Sequence, residues 1–149
     1  IDAIKSSGMY NQKAQTIIRA ARWVIEKYNG DLSKCKKDDP NSVRDELLKI
    51  KGIGPKTADV FLLFYLKAKV FPVDVHIKRV SSRLNLAHGD YSSVSNSLLK
   101  HFDDPLEAHL MLIALGRKYC RPRNPKCSIC PLNDICPSSR LFLHNSSSS

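Results

Sequence analysis

The chain has 149 residues, long enough for one compact core and too short to require two full domains. Its 24 Lys and Arg against 14 Asp and Glu leave a formal charge of +10, which favours polyanions, above all nucleic acid, through counterion release. No stretch approaches the roughly 20 apolar residues of a bilayer span, the longest run being Val60 to Leu66, so a soluble protein with no membrane partner is expected. Four of the five cysteines fall between Cys120 and Cys136. Without secretory features, that suggests a metal site in a reducing compartment rather than disulfides.

Strand signals are scarce and helical periodicity recurs, which predicts an all-α fold with no internal repeat. The chain opens on Ile1 rather than Met, and Asp2 to Ser7 reads as a helix end stopped by Gly8, so a cut front is expected. Asn11 then caps a helix whose apolar stripe is Ala14, Ile17, Ile18, Ala21, Ile25 and Tyr28, ending at Asn29-Gly30. If the chain starts inside a helical bundle, Ile17, Ile18 and Ala21 should expose an apolar face. The lysine-rich stretch through Cys35 to Pro40 reads as a loop, with Cys35 a bystander, and Asn41 or Ser42 caps a short helix through Ile50.

From Lys56 to about Ala68 the sequence is apolar nearly all round, as suits a buried helix. Phe71-Pro72 forces an extended entry, and Asp74 stands at the N-cap position ahead of Val75, Ile77, Val80 and Leu84. A further helix spans about Tyr91 to Phe102. The last has Asp104 as cap, Pro105 at its first position, Glu107 at its third and Gly116 as its stop. Arg117 to Pro137, rich in Pro, Cys and basic residues, reads as irregular structure, and Ser146 to Ser149 as a disordered tail. The expected organisation is a helical domain over 1–116 with a helical hairpin at about 43–68, a metal loop over 117–137 and a tail over 138–149.

Cys120, Cys127, Cys130 and Cys136 form C-x6-C-x2-C-x5-C, four thiolates able to wrap one small object. Structural zinc more often takes two short-spaced couples, and four thiolates equally suit a four-iron cluster; spacing alone leaves both open. Arg121, Arg123 and Lys126 lie between the first two cysteines and either meet phosphates or form a solvated charge run.

Leu47 to Ala58 reads LLKIKGIGPKTA. Gly52 and Gly54 allow a tight turn with positive φ and a close approach of phosphate to bare backbone, beside a helix N-terminus that favours anions. Lys56 lies in the first turn of the following helix, where the positive dipole end and partial burial both disfavour charge on the amine. Such an amine can act as a nucleophile toward carbon; a phosphate-binding lysine is the plainer alternative. Asp74 is by itself a helix cap, His76 a surface histidine, and Lys78, Arg79 and Arg83 face phosphate or solvent.

Taken together, the cysteine loop, the GIGPKTA hairpin and the PVDVHIKRV segment resemble, in order, the motifs of the endonuclease III family of DNA glycosylases. The resemblance covers about Ile4 to Pro137 and lacks several helices that family members carry further toward the N-terminus. It implies a [4Fe-4S] cluster on Cys120, Cys127, Cys130 and Cys136, and a hairpin in which Ile50 and Ile53 pack while Gly52, Ile53 and Gly54 meet a DNA phosphate. Lys56 stands where the family has the nucleophile that attacks the sugar C1′. Adenine-removing relatives generally lack that lysine, so its presence implies a combined glycosylase and abasic-site lyase. Asp74 matches the catalytic aspartate, and His76 is placed to help bind a flipped nucleotide.

Gly8-Met9-Tyr10-Asn11 with Gln12-Lys13 resembles the family loop that inserts an apolar side chain into the base stack. Met9 would be the wedge, with Tyr10 and Lys13 beside the DNA; a hydrophobic contact after a helix end is the alternative for Met9. The implied partner is double-stranded DNA with damaged bases or abasic sites, oxidised pyrimidines first. A missing N-terminal segment or a partner chain would complete the bundle. The implied location is cytoplasmic or nucleoid-associated, or nuclear or organellar in a eukaryote. Rival readings are a related glycosylase for mismatched, oxidised-purine or alkylated bases, a non-catalytic DNA-binding module or fragment, and a zinc-bound interaction domain.

Overall fold

A computed structural model of the chain describes residues 9–144. The expected helix end at Asp2 to Gly8 and the serine tail lie outside these. Among the described residues there are helices and turns and no strand, as the periodicity predicts. The chain divides into two compact units, Ile1–Ala68 and Lys69–Ser149.

In the first unit, α1 spans Tyr10–Tyr28 with Met9, at φ 44°, in the cap position. Asn11 therefore lies inside the helix rather than capping it, and Met9 brings no side-chain acceptor. The helix ends as expected, with Asn29 at φ 53° and Gly30 at φ 80°, both in the left-handed region that closes a helix. Ala14 and Tyr28 are buried, whereas Ile17, Ile18 and Ile25 are exposed, as is Ala21, so the expected apolar face is present.

The lysine-rich stretch is not a plain loop. It forms a 3₁₀ turn, Leu32–Lys37, because the Asp31 carboxylate accepts from the Ser33 amide and Cys35 is fully buried. Cys35 is thus a core side chain, and burial first pushes its thiol pKa up. Helix α2 covers Pro40–Lys49, with Asp39 as its cap and Pro40 in its first turn. Asn41 and Ser42 lie inside it, and the Ser42 amide donates to Asp39 at 2.9 Å. A carboxylate ahead of proline outcompetes the two later polar residues because proline's fixed φ starts the helix there.

After the turn at Gly52, α3 runs Pro55–Phe61 and then widens into a π-helical turn, Leu62–Leu66, closed by Lys67 at φ 57°. Leu62 and Leu63 are buried. A salt bridge locks the hairpin from within: Arg44 Nε on α2 donates to Asp59 Oδ1 on α3, and its Nη2 donates to Oδ2 at 3.2 Å.

The second unit begins with an extended segment, in which Phe71, Pro72 and Val73 are buried. Helix α4, Val75–Arg83, is capped by Asp74 as expected, and α5, Tyr91–His101, by Asp90. Helix α6, Pro105–Lys118, has Asp104 accepting from the Leu106 and Glu107 amides. Gly116 does not stop it. A Cβ there would lie 3.0 Å from His76 Cβ and 3.2 Å from Val80 Cγ2, so the glycine is a packing residue that lets α6 approach α4. The core gathers Phe71, Val73, Ile77, Val80, Val94, Leu98 and Leu112. Beyond α6 the chain is irregular apart from a 3₁₀ turn, Cys127–Ile129, and a short helix α7, Ser139–His144.

Candidate functional site

The hairpin turn is built from the backbone outward. Ile53 N donates to Ile50 O at 2.9 Å, and both isoleucines are half-buried. Gly52 has φ +104° and is exposed. Gly54, expected to share that conformation, is instead the extended cap of α3 at φ −103°; only Gly52 needs the glycine-favoured region. Pro55 and Lys56 open the helix, so its first amides lack intrahelical acceptors. Lys56 is exposed at the second helical position, which corrects the expected partial burial. Two residues that the motif does not contain meet the turn from α1: Arg19 Nη1 donates to Lys51 O at 3.3 Å, and Thr16 Oγ1, whose shorter bond goes to Gln12 O at 3.0 Å, lies 3.5 Å from the same Lys51 carbonyl.

At the head of α1, Met9 is 73% exposed, which leaves its side chain without burial among the described residues. Tyr10 is half-buried and Lys13 exposed.

In the second unit Asp74 Oδ1 accepts from the Ile77 amide at 2.8 Å, so the cap holds the half-buried carboxylate in place. His76, also half-buried, turns Nδ1 toward Arg79 Nη2 at 3.1 Å. Arginine can only donate, so Nδ1 is the acceptor and Nε2 carries the proton. Arg79 also donates to Gly116 O at 3.0 Å and Cys120 O at 2.8 Å. Arg83 donates to Arg121 O at 2.7 Å, Pro122 O at 3.2 Å and Cys120 Sγ at 3.4 Å. Its guanidinium lies over the Phe142 ring at 4.6 Å. Both arginines, still half-exposed, do more than face phosphate or solvent: they tie the cysteine loop to α4. Their spacing of four, on one helix face, was the signal in the sequence. Lys78 remains exposed.

The loop folds on itself around Tyr119 O, which accepts from Arg121 N at 2.8 Å and Lys126 N at 2.9 Å. Arg121, Arg123 and Lys126 are thereby presented, all exposed. Cys120, Cys127, Cys130 and Cys136 line one cavity together with Leu84, Leu115 and Phe142. Burial first, and then the neighbouring thiols of Cys136, Cys120 and Cys130, push the Cys127 pKa up. Four thiols around one cavity are the donor set that a four-iron cluster takes, one per iron. The residues present fit the cluster.

A family model described as HhH-GPD superfamily base excision DNA repair protein matches residues 1–103. Another, the iron-sulfur binding domain of endonuclease III, matches residues 120–136. The endonuclease III of Sulfolobus acidocaldarius is 40% identical over 149 residues, spanning 97% of this chain and 63% of that protein. A solved non-covalent endonuclease III–DNA complex is similar with TM-score 0.80 and 31% identity, covering 95% of this chain and 64% of that one. A trapped endonuclease III–DNA covalent intermediate gives TM-score 0.79 at 31% identity, with 94% and 64% covered. The chain thus spans less than two thirds of the length of these relatives. Its cofactor is a [4Fe-4S] cluster, in the loop that the iron-sulfur domain matches. With the hairpin, the Asp74-capped helix and this loop in one order, the chain belongs to the endonuclease III family of the HhH-GPD superfamily.

Proposed function

We infer that the protein is a base-excision repair DNA N-glycosylase with abasic-site lyase activity, acting on oxidised pyrimidines in double-stranded DNA. The observation that carries this is an exposed Lys56 at the second position of the helix that leaves the Gly52 turn. The likeness to a trapped covalent endonuclease III–DNA intermediate supports it.

In this reading the Gly52–Ile53–Gly54 backbone and the helix that follows receive a DNA phosphate, and Arg121, Arg123 and Lys126 receive others. The damaged nucleotide is flipped out, Met9 fills the gap, Tyr10 and Lys13 lie beside it, and His76 Nε2–H is the donor toward the nucleotide. The Lys56 amine attacks C1′, and the base departs with the electrons of the glycosidic bond and takes up a proton. The sugar ring opens to an imine; loss of a C2′ proton then expels the 3′ phosphate, and water releases the lysine. Asp74 offsets positive charge developing on the sugar, a task for a carboxylate already held by its cap. Cys120, Cys127, Cys130 and Cys136 hold the cluster, which when bound supplies a cross-link that fixes the basic loop. No described helix is long and apolar enough to cross a membrane, and the protein works in whichever compartment holds the DNA.

Borohydride trapping on duplex DNA with one abasic site tests the assignment without requiring base recognition. The parent forms a covalent adduct, Lys56→Ala forms none while still binding, and Asp74→Asn reacts on the order of 100-fold more slowly. An adduct that persists in Lys56→Ala would move the nucleophile to another amine. Tight binding by a parent that forms no adduct would make the protein a DNA-binding module in which Lys56 contacts phosphate.

A further inference from the structure

The segment that delivers Asp74 is extended, buried and outside any sheet. Phe71 is fully buried and Val73 is 7% exposed, yet no strand among the described residues pairs with them. Buried carbonyls need donors, and here two buried side chains from different helices supply them. Ser95 Oγ on α5 donates to Phe71 O at 2.8 Å, and His109 Nδ1 on α6 to Pro72 O at 3.2 Å. A carbonyl can only accept, so His109 Nδ1 carries the proton. Ser95 is 8% exposed and His109 4%, and the His109 ring meets that of Phe71 edge-on at 6.1 Å. Pro72 has no N–H and a fixed φ. The backbone one and two residues before Val73 is therefore clamped from α5 and α6, and Asp74 is clamped just after it by the Ile77 amide.

Resting on the reading of Asp74 as the charge-stabilising carboxylate, we propose that Ser95 and His109 are positioning residues for Asp74, holding the Phe71–Pro72 backbone so that its carboxylate stands at one place. A helix cap alone fixes Asp74 to α4; the two buried donors fix its approach to α5 and α6. A carboxylate that acts by preorganised electrostatics loses effect when it shifts by a fraction of an ångström. Neither donor touches the reacting atoms in this scheme.

The experiment measures single-turnover cleavage of an abasic duplex, DNA affinity and hydrogen exchange of the Ile77 amide in cluster-loaded protein. The variants are Ser95→Ala, His109→Leu and His109→Asn, each made alone and with Asp74→Asn. Ser95→Ala and His109→Leu should each slow cleavage about 10-fold at unchanged DNA affinity, with faster Ile77 exchange. His109→Asn, whose amide nitrogen can stand in for Nδ1–H, should recover most of the rate. In the Asp74→Asn background neither loss should recur, because coupled residues are non-additive. Losses of full size in that background would mean general loosening and overturn the proposal. So would parent rates in folded Ser95→Ala and His109→Leu while Asp74→Asn is slow; the reading of Asp74 would then stand alone. If Asp74→Asn itself reacts at the parent rate, that reading fails and takes the positioning role with it. Should His109→Leu not fold, Ser95→Ala, which deletes one oxygen, decides the matter.

Discussion

A Cβ placed on Gly52 would lie 2.0 Å from Thr16 Oγ1 and 3.0 Å from Thr16 Cβ, so the hairpin turn and α1 meet at the one residue type that fits between them. Gly52→Ala faces both this overlap and the strain of φ +104°. Strain of this kind costs about 1–3 kcal/mol. Thermal unfolding should show a lower midpoint for Gly52→Ala, partly restored by adding Thr16→Ala, which removes the hydroxyl clash and leaves the tight Cβ contact and the backbone strain. A Gly52→Ala protein as stable as the parent would refute the contact.

Asp59 is 3% exposed and faces the Arg44 guanidinium across the hairpin. Removing one partner of a buried pair is costly because the other charge loses its compensation. Arg44→Met should therefore destabilise the protein by about 3 kcal/mol in urea unfolding. Arg44→Lys should recover only part, since an ammonium cannot make the paired contact. Equal midpoints for Arg44→Met and the parent would show that the pair contributes nothing net.

Stability should fall in acid through the cluster that joins α1 to the 3₁₀ turn and α2. Hydrogen bonds from Lys27 first, at 2.6 Å, and then from Trp23 hold the Glu46 pKa below its ordinary value. The Tyr28 hydroxyl first, at 2.7 Å, and then Lys27 do the same for Asp38. Since both folded pKa values lie below the unfolded ones, the stabilisation is complete above about pH 5 and is lost as pH falls through the folded values. At the alkaline end, burial above all pushes the Tyr28 phenol up to about 12, so its contribution is present below the unfolded pKa of about 10 and disappears above the folded one. Melting curves of the parent and Lys27→Met should differ at pH 6, and the gap should narrow as pH falls below the ordinary carboxylate range; a gap independent of pH would exclude these carboxylates as the cause.

Arg83 is, with Arg79, a tie between α4 and the start of the cluster loop. Replacing it with Lys keeps the charge and loses the fork that reaches both Arg121 O and Pro122 O, together with the stack on Phe142. Arg83→Lys should release iron faster in the presence of a chelator, followed by visible absorbance, and weaken DNA binding in step through the loosened Arg121 and Arg123. Iron retention equal to the parent's would show that the cluster alone holds the loop.

The local rules carried far along this chain. Asp74 and Asp104 cap helices where the sequence places them, Asn29-Gly30 ends α1, and Gly52 adopts the positive φ that the hairpin motif demands. Each depends on atoms within a few residues, so composition at those positions is enough. The same rules failed where a distant or competing partner decided. Gly116 reads as a helix stop because glycine commonly ends helices, but here it meets His76 and Val80, which the sequence separates from it by 40 and 36 positions. Arg79 and Arg83 read as surface cations, and their acceptors at Gly116, Cys120, Arg121 and Pro122 lie 37 to 41 positions along the chain. Cys35 looks stranded among lysines until Asp31 turns the segment and buries it. Motif identity, caps and the cysteine donor set were determined by neighbouring residues alone; which cations are spent holding the loop, which glycine is a spacer and which donors clamp the Asp74 segment were decided only when remote carbonyls came within hydrogen-bond reach.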